Sequence, residues 1–220
     1  MDILKGYILS SSYIVLILII AMLVKKYSNF TNNVPRKIVH IGVAFTWFIM
    51  YKYFGASYHL LFVPIITLVV NLLSRFHNTF SFIPLLSDNR DSGTYLYPLS
   101  MLIMSITTII IPEYFIAYGV GLLSMALGDG LASIFGNKFK STEFRIFGAK
   151  KTFVGCLTVF FFTSLITYLL PLIEGIDANL IDVILIGFVG MILEFIGAKI
   201  ADNITLPIGI SLLAYFLVVI

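Results

Sequence analysis

Apolar runs long enough to cross a bilayer follow one another along almost the whole chain, with only short polar stretches between them. A helix needs about 20 such residues, within a range of about 17–25, to span the hydrocarbon core. Runs near 7–24, 38–54, 58–74, 94–111, 114–135, 152–170, 181–200 and 204–220 meet that length. Backbone groups in hydrocarbon must find their hydrogen bonds within the protein, so runs of this kind read as helices. Composition agrees, since 60% of the 220 residues are hydrophobic and 11% are charged, against roughly 25% charged in a soluble domain. The expected fold is all-α, a polytopic membrane bundle of eight helices. The number falls to seven if runs two and three, parted by a short turn holding Lys52 and His59, do not both cross. Pro112 divides runs four and five and Pro171 follows run six, as suits a residue that ends helices. No repeat, low-complexity tract or linker is visible, so 1–220 reads as a single membrane domain. The first run lacks a cleavage site of small residues and reads as a retained span.

Eight spans put both termini on one side. The loops 25–37, 75–93, 136–151 and 199–203 then share the other side and hold 12 of the 14 Lys and Arg residues, all but Lys5 and Lys52. That asymmetry makes the loop side cytoplasmic and the termini extracytoplasmic in a cell membrane. The net charge of +3 carries no basic tract, which excludes nucleic acid as a partner. The single cysteine, Cys156, lies in an apolar run and forms no internal disulfide.

Polar residues gather on the cytoplasmic side. Asp129, between Gly128 and Gly130, lies six residues inside run five if Gly136 ends that helix. Six residues amount to about 9 Å at the helical rise, too deep for a short side chain to reach water. Intramembrane acids mark ion or substrate sites. Glu194 lies in run seven, and Asp202, followed by Asn203, stands in what reads as a break before run eight. Arg36, Lys37 and His40 share one face at the start of run two, where Pro35 fixes the helix entry. They suit a phosphate or headgroup, and equally a positive-inside anchor. Asp91 sits in a polar turn and serves as a cap or a cation ligand. The loop 136–151 carries Lys138 and ends in Lys150-Lys151-Thr152, where Thr152 caps run six and free amides there would favour an anion. It is not a Walker A loop.

Acids on one face with several cations are what metal-assisted phosphoryl transfer requires. Magnesium, or another divalent cation, takes one or two carboxylates plus phosphate oxygens and water. Zinc does not fit, because the chain lacks clustered Cys and His.

Several stretches resemble one family, in its order. They are Arg36-Lys37-Ile38-Val39-His40, Gly128-Asp129-Gly130-Leu131-Ala132, Gly136-Asn137-Lys138, Lys151-Thr152-Phe153-Val154-Gly155 and Asp202-Asn203-Ile204-Thr205-Leu206-Pro207. The resemblance, over roughly 35–210, is to the polyprenol kinase family of dolichol kinase, phytol kinase and CTP-dependent diacylglycerol kinase. The Gly-Asp-Gly to Lys-Thr pairing is shared with phosphatidate cytidylyltransferases, whose longer acidic ending is not seen here. The resemblance implies transfer of the γ-phosphate of CTP to a lipid alcohol such as phytol, geranylgeraniol, a polyprenol or dolichol. It implies that Asp129, Asp202 and Glu194 are catalytic or metal-binding. Lys138, Lys150, Lys151 and Thr152 would face the nucleotide, with Arg36, Lys37, His40 and Asn203 also toward it. The rivals are a cytidylyltransferase, a diacylglycerol kinase and, outside enzymes, a lipid or ion transporter. A transporter would need polar residues on both faces, and the opposite face is poor in them.

Overall fold

A computed structural model describes residues 2–27, 33–76, 93–139, 141–146, 149–197 and 202–220. These residues form eight α-helices and one short hairpin. The order is α1 (Asp2–Tyr27), α2 (Asn33–Tyr53), a 3₁₀ turn (Tyr58–Leu61), α3 (Phe62–Phe76), α4 (Gly93–Ile110), α5 (Tyr114–Lys138), β1 (Glu143–Ile146), β2 (Ala149–Thr152), α6 (Phe153–Leu169), α7 (Leu180–Ile196) and α8 (Asp202–Ala214). Each expected run is matched by a helix. Four of them are long and apolar enough to cross a membrane among the described residues, namely Asp2–Tyr27, Tyr114–Lys138, Phe153–Glu174 and Asp202–Val219. Asp91 and the residues 88–92 around it lie outside the described residues, as do Lys140, Gly148 and Lys199.

Internal contacts divide the chain into two compact units, Met1–Ile110 and Ile111–Ile220. In the first, α1 packs on α2 and α3 on α4. Gly6 meets Tyr53 and Phe54 while Gly42 meets Ile17, so α1 and α2 run antiparallel, with backbones brought close by the missing side chains. Val39, Val43, Trp47 and Met50 are buried along one face of α2, at the three- and four-residue spacing a helix imposes. Gly55, at φ 56°, closes α2 in the left-handed conformation, and its amide donates to the Met50 carbonyl. The turn that follows holds His59, whereas Lys52, expected in it, lies in the last turn of α2. Tyr7 O–H and His59 Nδ1 form a hydrogen bond of 2.6 Å there.

In the second unit α5 is the core. Every residue from Tyr114 to Ala126 is buried, as expected of a helix apolar all round. Helix α5 packs on α6 and on α8, and α7 packs on both α6 and α8, which closes a four-helix ring. Small residues set the α5–α6 seam. Gly128 lies against Val159, Gly155 against the Ala132 carbonyl, and Gly136 against the Thr152 hydroxyl. Steps of four along α5 thus match steps of four and three along α6, antiparallel.

Three expectations change here. Gly136 does not end its helix, because α5 continues to Lys138, and Gly136 instead makes room for Thr152. The segment 136–151 is not a plain loop, since β1 and β2 pair antiparallel with Phe144 opposite Lys151. Pairing satisfies backbone groups that a loop beside a membrane would leave open. Nor is 202–207 a break. Helix α8 starts at Asp202, an acid in a first turn where the helix dipole favours it, and Pro207 lies inside the helix. The Pro207 carbonyl lies against Gly121 of α5, where the lack of a side chain admits it.

The seam yields a prediction. Gly136→Ala in otherwise unchanged protein displaces the Thr152 hydroxyl, and the lost cap, worth about 1 kcal/mol, cancels alanine's helical advantage of about 1 kcal/mol over glycine, so the thermal midpoint does not rise. In a Thr152→Ala background the same change raises the midpoint, since the methyl then meets nothing closer than the β-carbon at position 152, at an ordinary contact distance. Thermal unfolding of the four proteins in detergent checks that the gain appears only without the hydroxyl.

Candidate active site

Thr152 ends β2 and caps α6, with φ −122° and ψ 148°, and its Oγ1 accepts from the Gly155 amide at 3.1 Å. That cap was expected, but the free amides beside it are not found. Phe153 N–H donates to the Thr142 carbonyl at 3.0 Å, and Val154 N–H donates to Ser141 Oγ at 3.4 Å. The first three amides of α6 are thus engaged, and the anion-binding helix end expected from the sequence is already closed by the chain preceding β1.

One residue earlier, Lys151 turns into the protein. Its Nζ donates to Glu194 Oε1 at 2.6 Å and to Asp202 Oδ2 at 2.7 Å. Glu194 comes from the end of α7 and Asp202 from the first turn of α8, and they are 4% and 7% exposed. The other oxygen of each, Glu194 Oε2 and Asp202 Oδ1, is buried without a hydrogen-bond partner among the described residues. Such orphaned acceptors are rare, because each forfeits its hydration with nothing in return. Asp129, half-buried on α5, is within electrostatic reach of both carboxylates. Two carboxylates thus share one ammonium, in a site walled by apolar helices.

Burial opposes the charge on Lys151, but the charge of Glu194 and the hydrogen bonds and charge of the acid pair outweigh it, and its pKa lies above the usual lysine value. A folded-state pKa above the unfolded one stabilises fully below the unfolded value and is lost only as pH climbs through the folded value. Lys151 is an ammonium at physiological pH.

The hairpin brings Lys151 there. Lys151 and Phe144 are cross-strand partners and so share a face. Phe144 packs on Phe195 at 5.4 Å between ring centroids, next to Glu194 in sequence. One apolar and one ionic contact thus tie the hairpin to the end of α7. Gly197 shapes the other side. It follows α7 in an extended conformation, and a Cβ there would meet Asp202 Oδ1 and the Leu193 carbonyl. Gly197→Ala therefore pushes Asp202 from its place and is expected to cut turnover at least tenfold. Far-ultraviolet circular dichroism will be unchanged, and a variant of full activity would clear Gly197 of this role.

The remaining expected residues lie on other elements. Lys138 is exposed at the end of α5, its Nζ 5.9 Å from the Phe139 ring centre. Lys150 lies on β2 opposite Arg145. Asn203 is half-buried beside Asp202. Arg36, Lys37 and His40 belong to the other unit, where the His40 ring packs on Tyr97 at 4.0 Å and its carbonyl accepts from the Tyr97 hydroxyl. Sequence reasoning missed Gly197 and Phe144. The signal for Gly197 was a glycine at the end of an apolar run shortly before an acid, and Phe144 carried none.

Known proteins resemble this chain along most of its length. A phytol kinase of Synechocystis sp. is 29% identical over 219 aligned residues, covering 94% of this chain and 89% of that protein. Phytol kinase 1, chloroplastic, of Arabidopsis thaliana is 27% identical, with 84% and 66% covered. Dolichol kinase of Homo sapiens is 34% identical over 62% of this chain, which spans 28% of that longer protein. No family model matches the chain, and no solved structure does. The chain is thus similar to two phytol kinases over most of its length and to a dolichol kinase over 62% of it.

Proposed function

We propose that this protein is a membrane-embedded kinase that transfers the γ-phosphate of CTP to the hydroxyl of an isoprenoid alcohol. The observation that carries this reading is the meeting of Glu194 and Asp202, from two helices, on Lys151, with Asp129 of a third helix within electrostatic reach of both acids and one buried oxygen of each left without a hydrogen-bond partner among the described residues. Kinship with phytol and dolichol kinases makes it a kinase of an alcohol.

The donor set fits magnesium. Among the described residues no three His, Cys, Asp or Glu side chains stand close enough to hold a metal alone. Magnesium needs only one or two carboxylates, and fills its other positions with phosphate oxygens and water. Glu194 and Asp202, through their unpartnered oxygens, would hold it, with Asp129 beside them. The ion supplies neutralisation of phosphate charge. Asp129 orients the alcohol and accepts its proton as the new P–O bond forms and the bond to CDP breaks. Lys138, Lys150 and Lys151 meet the triphosphate. The alcohol reaches the site from the bilayer.

All eight helices cross the cell membrane in this reading. Both termini are extracytoplasmic, and the hairpin meets the cytoplasm, where CTP is found. The distribution of Lys and Arg among the loops supports that orientation.

The test is purified protein in detergent with magnesium, γ-labelled CTP or ATP, and a panel of isoprenols and diacylglycerol. Label in an isoprenyl phosphate, with CDP released, is expected. Pyrophosphate release would make the protein a cytidylyltransferase, and no labelled lipid with any acceptor would end the kinase reading.

A further inference from the structure

Lys151 is placed unusually for a lysine that serves a triphosphate. Its ammonium sits between Glu194 and Asp202, with both distances under 3 Å and little of the side chain exposed. It engages one oxygen of each carboxylate, and the second oxygen of each is buried and has no hydrogen-bond partner among the described residues. The same pair that would hold a divalent cation is thus already holding a monovalent one. One ammonium engages half of the oxygens of the two carboxylates, so the pair retains capacity for a stronger cation.

We propose that Lys151 is a resident counter-ion, which keeps the acid pair assembled while the site is empty and must leave it when a divalent cation arrives with nucleotide. The inference rests on the reading of Glu194 and Asp202 as the cation-binding pair. Two opposing demands explain the arrangement. Without a cation, buried carboxylates in an apolar wall would repel one another and splay α7 from α8. With a cation bound, an ammonium between them would be repelled, and triphosphate oxygens offer it a new anionic partner. The hairpin can release Lys151 without coming away, because Phe144 on Phe195 is a second anchor that does not involve charge. The site therefore resists divalent cations alone and accepts them with nucleotide, which keeps it from loading without substrate.

The test titrates Mn²⁺, without nucleotide, into wild type and Lys151→Met in detergent, reading unbound Mn²⁺ by electron paramagnetic resonance. The variant is expected to bind one Mn²⁺ at least tenfold more tightly than wild type, and equal affinities overturn the proposal. A second measurement needs no variant. The thermal midpoint for labelling Cys156, buried on α6, should not move when millimolar Mn²⁺ is added to wild type, and a rise overturns the proposal. Phosphorylation of an isoprenol is measured separately. Its absence alongside the expected Mn²⁺ results removes the kinase reading and leaves the counter-ion standing, whereas phosphorylation with equal Mn²⁺ affinities does the reverse.

Discussion

Asp129→Asn is expected to lose phosphorylation by about 10²–10⁴-fold, the usual worth of a positioned general base, while the protein still inserts and elutes as a single species. The substitution keeps size and hydrogen-bonding atoms but removes the charge. Asp129 is suited to the test because it stands on α5, within electrostatic reach of Glu194 and Asp202. Neutralising it relieves repulsion in the site, so the folded state should be as stable as before or more so. Loss of turnover with retained or improved stability separates a chemical role from a structural one. A variant of unimpaired turnover would remove Asp129 from the mechanism, and one that fails to fold would make it a structural aspartate.

Lys151→Met has the largest expected effect on stability. Removing one partner of a buried ion pair costs about 3–5 kcal/mol, because the remaining charge is left in a poor solvent with nothing opposite it. Here two carboxylates lose their shared donor at once. The midpoint for Cys156 labelling should fall by several degrees in metal-free buffer. Cys156 reports locally, being the single cysteine, 4% exposed and near both Lys151 and Glu194. Adding Glu194→Gln to Lys151→Met should recover part of the loss, since a neutral amide tolerates the site better than an unpaired acid. If the double change is worse by the sum of the two single costs, the pair is not coupled.

The helices were legible because hydrocarbon leaves a chain little choice, and a run of apolar residues near 20 long has one regular solution. Asp129, Glu194 and Asp202 stood out for the same reason, as charges where charge is expensive. Other features depended on contacts between distant parts of the chain. Gly136 resembled a helix end because glycine ends many helices, whereas its role is to admit Thr152, sixteen residues on. Pro207 falls inside run eight, and what the sequence could not show is that Gly121 of α5 is set close to its carbonyl. The amides of α6 were expected open, because nothing in the composition of 136–151 announced that Ser141 and Thr142 would fold back on them. Lys151 was read as facing phosphate, and its engagement by two acids from later helices had no local signature.

The joint between β2 and α6 has a consequence for how the molecule is made. A strand runs into a helix without a spacer, and the start of that helix is tied off by residues translated just before the hairpin. The ribosome delivers all of these before α7 and α8 exist, so every partner in this tie is available while Glu194 and Asp202 are still unsynthesised. Lys151 meets its acids only once the last two helices emerge, and the ion pairs then hold those helices to the hairpin.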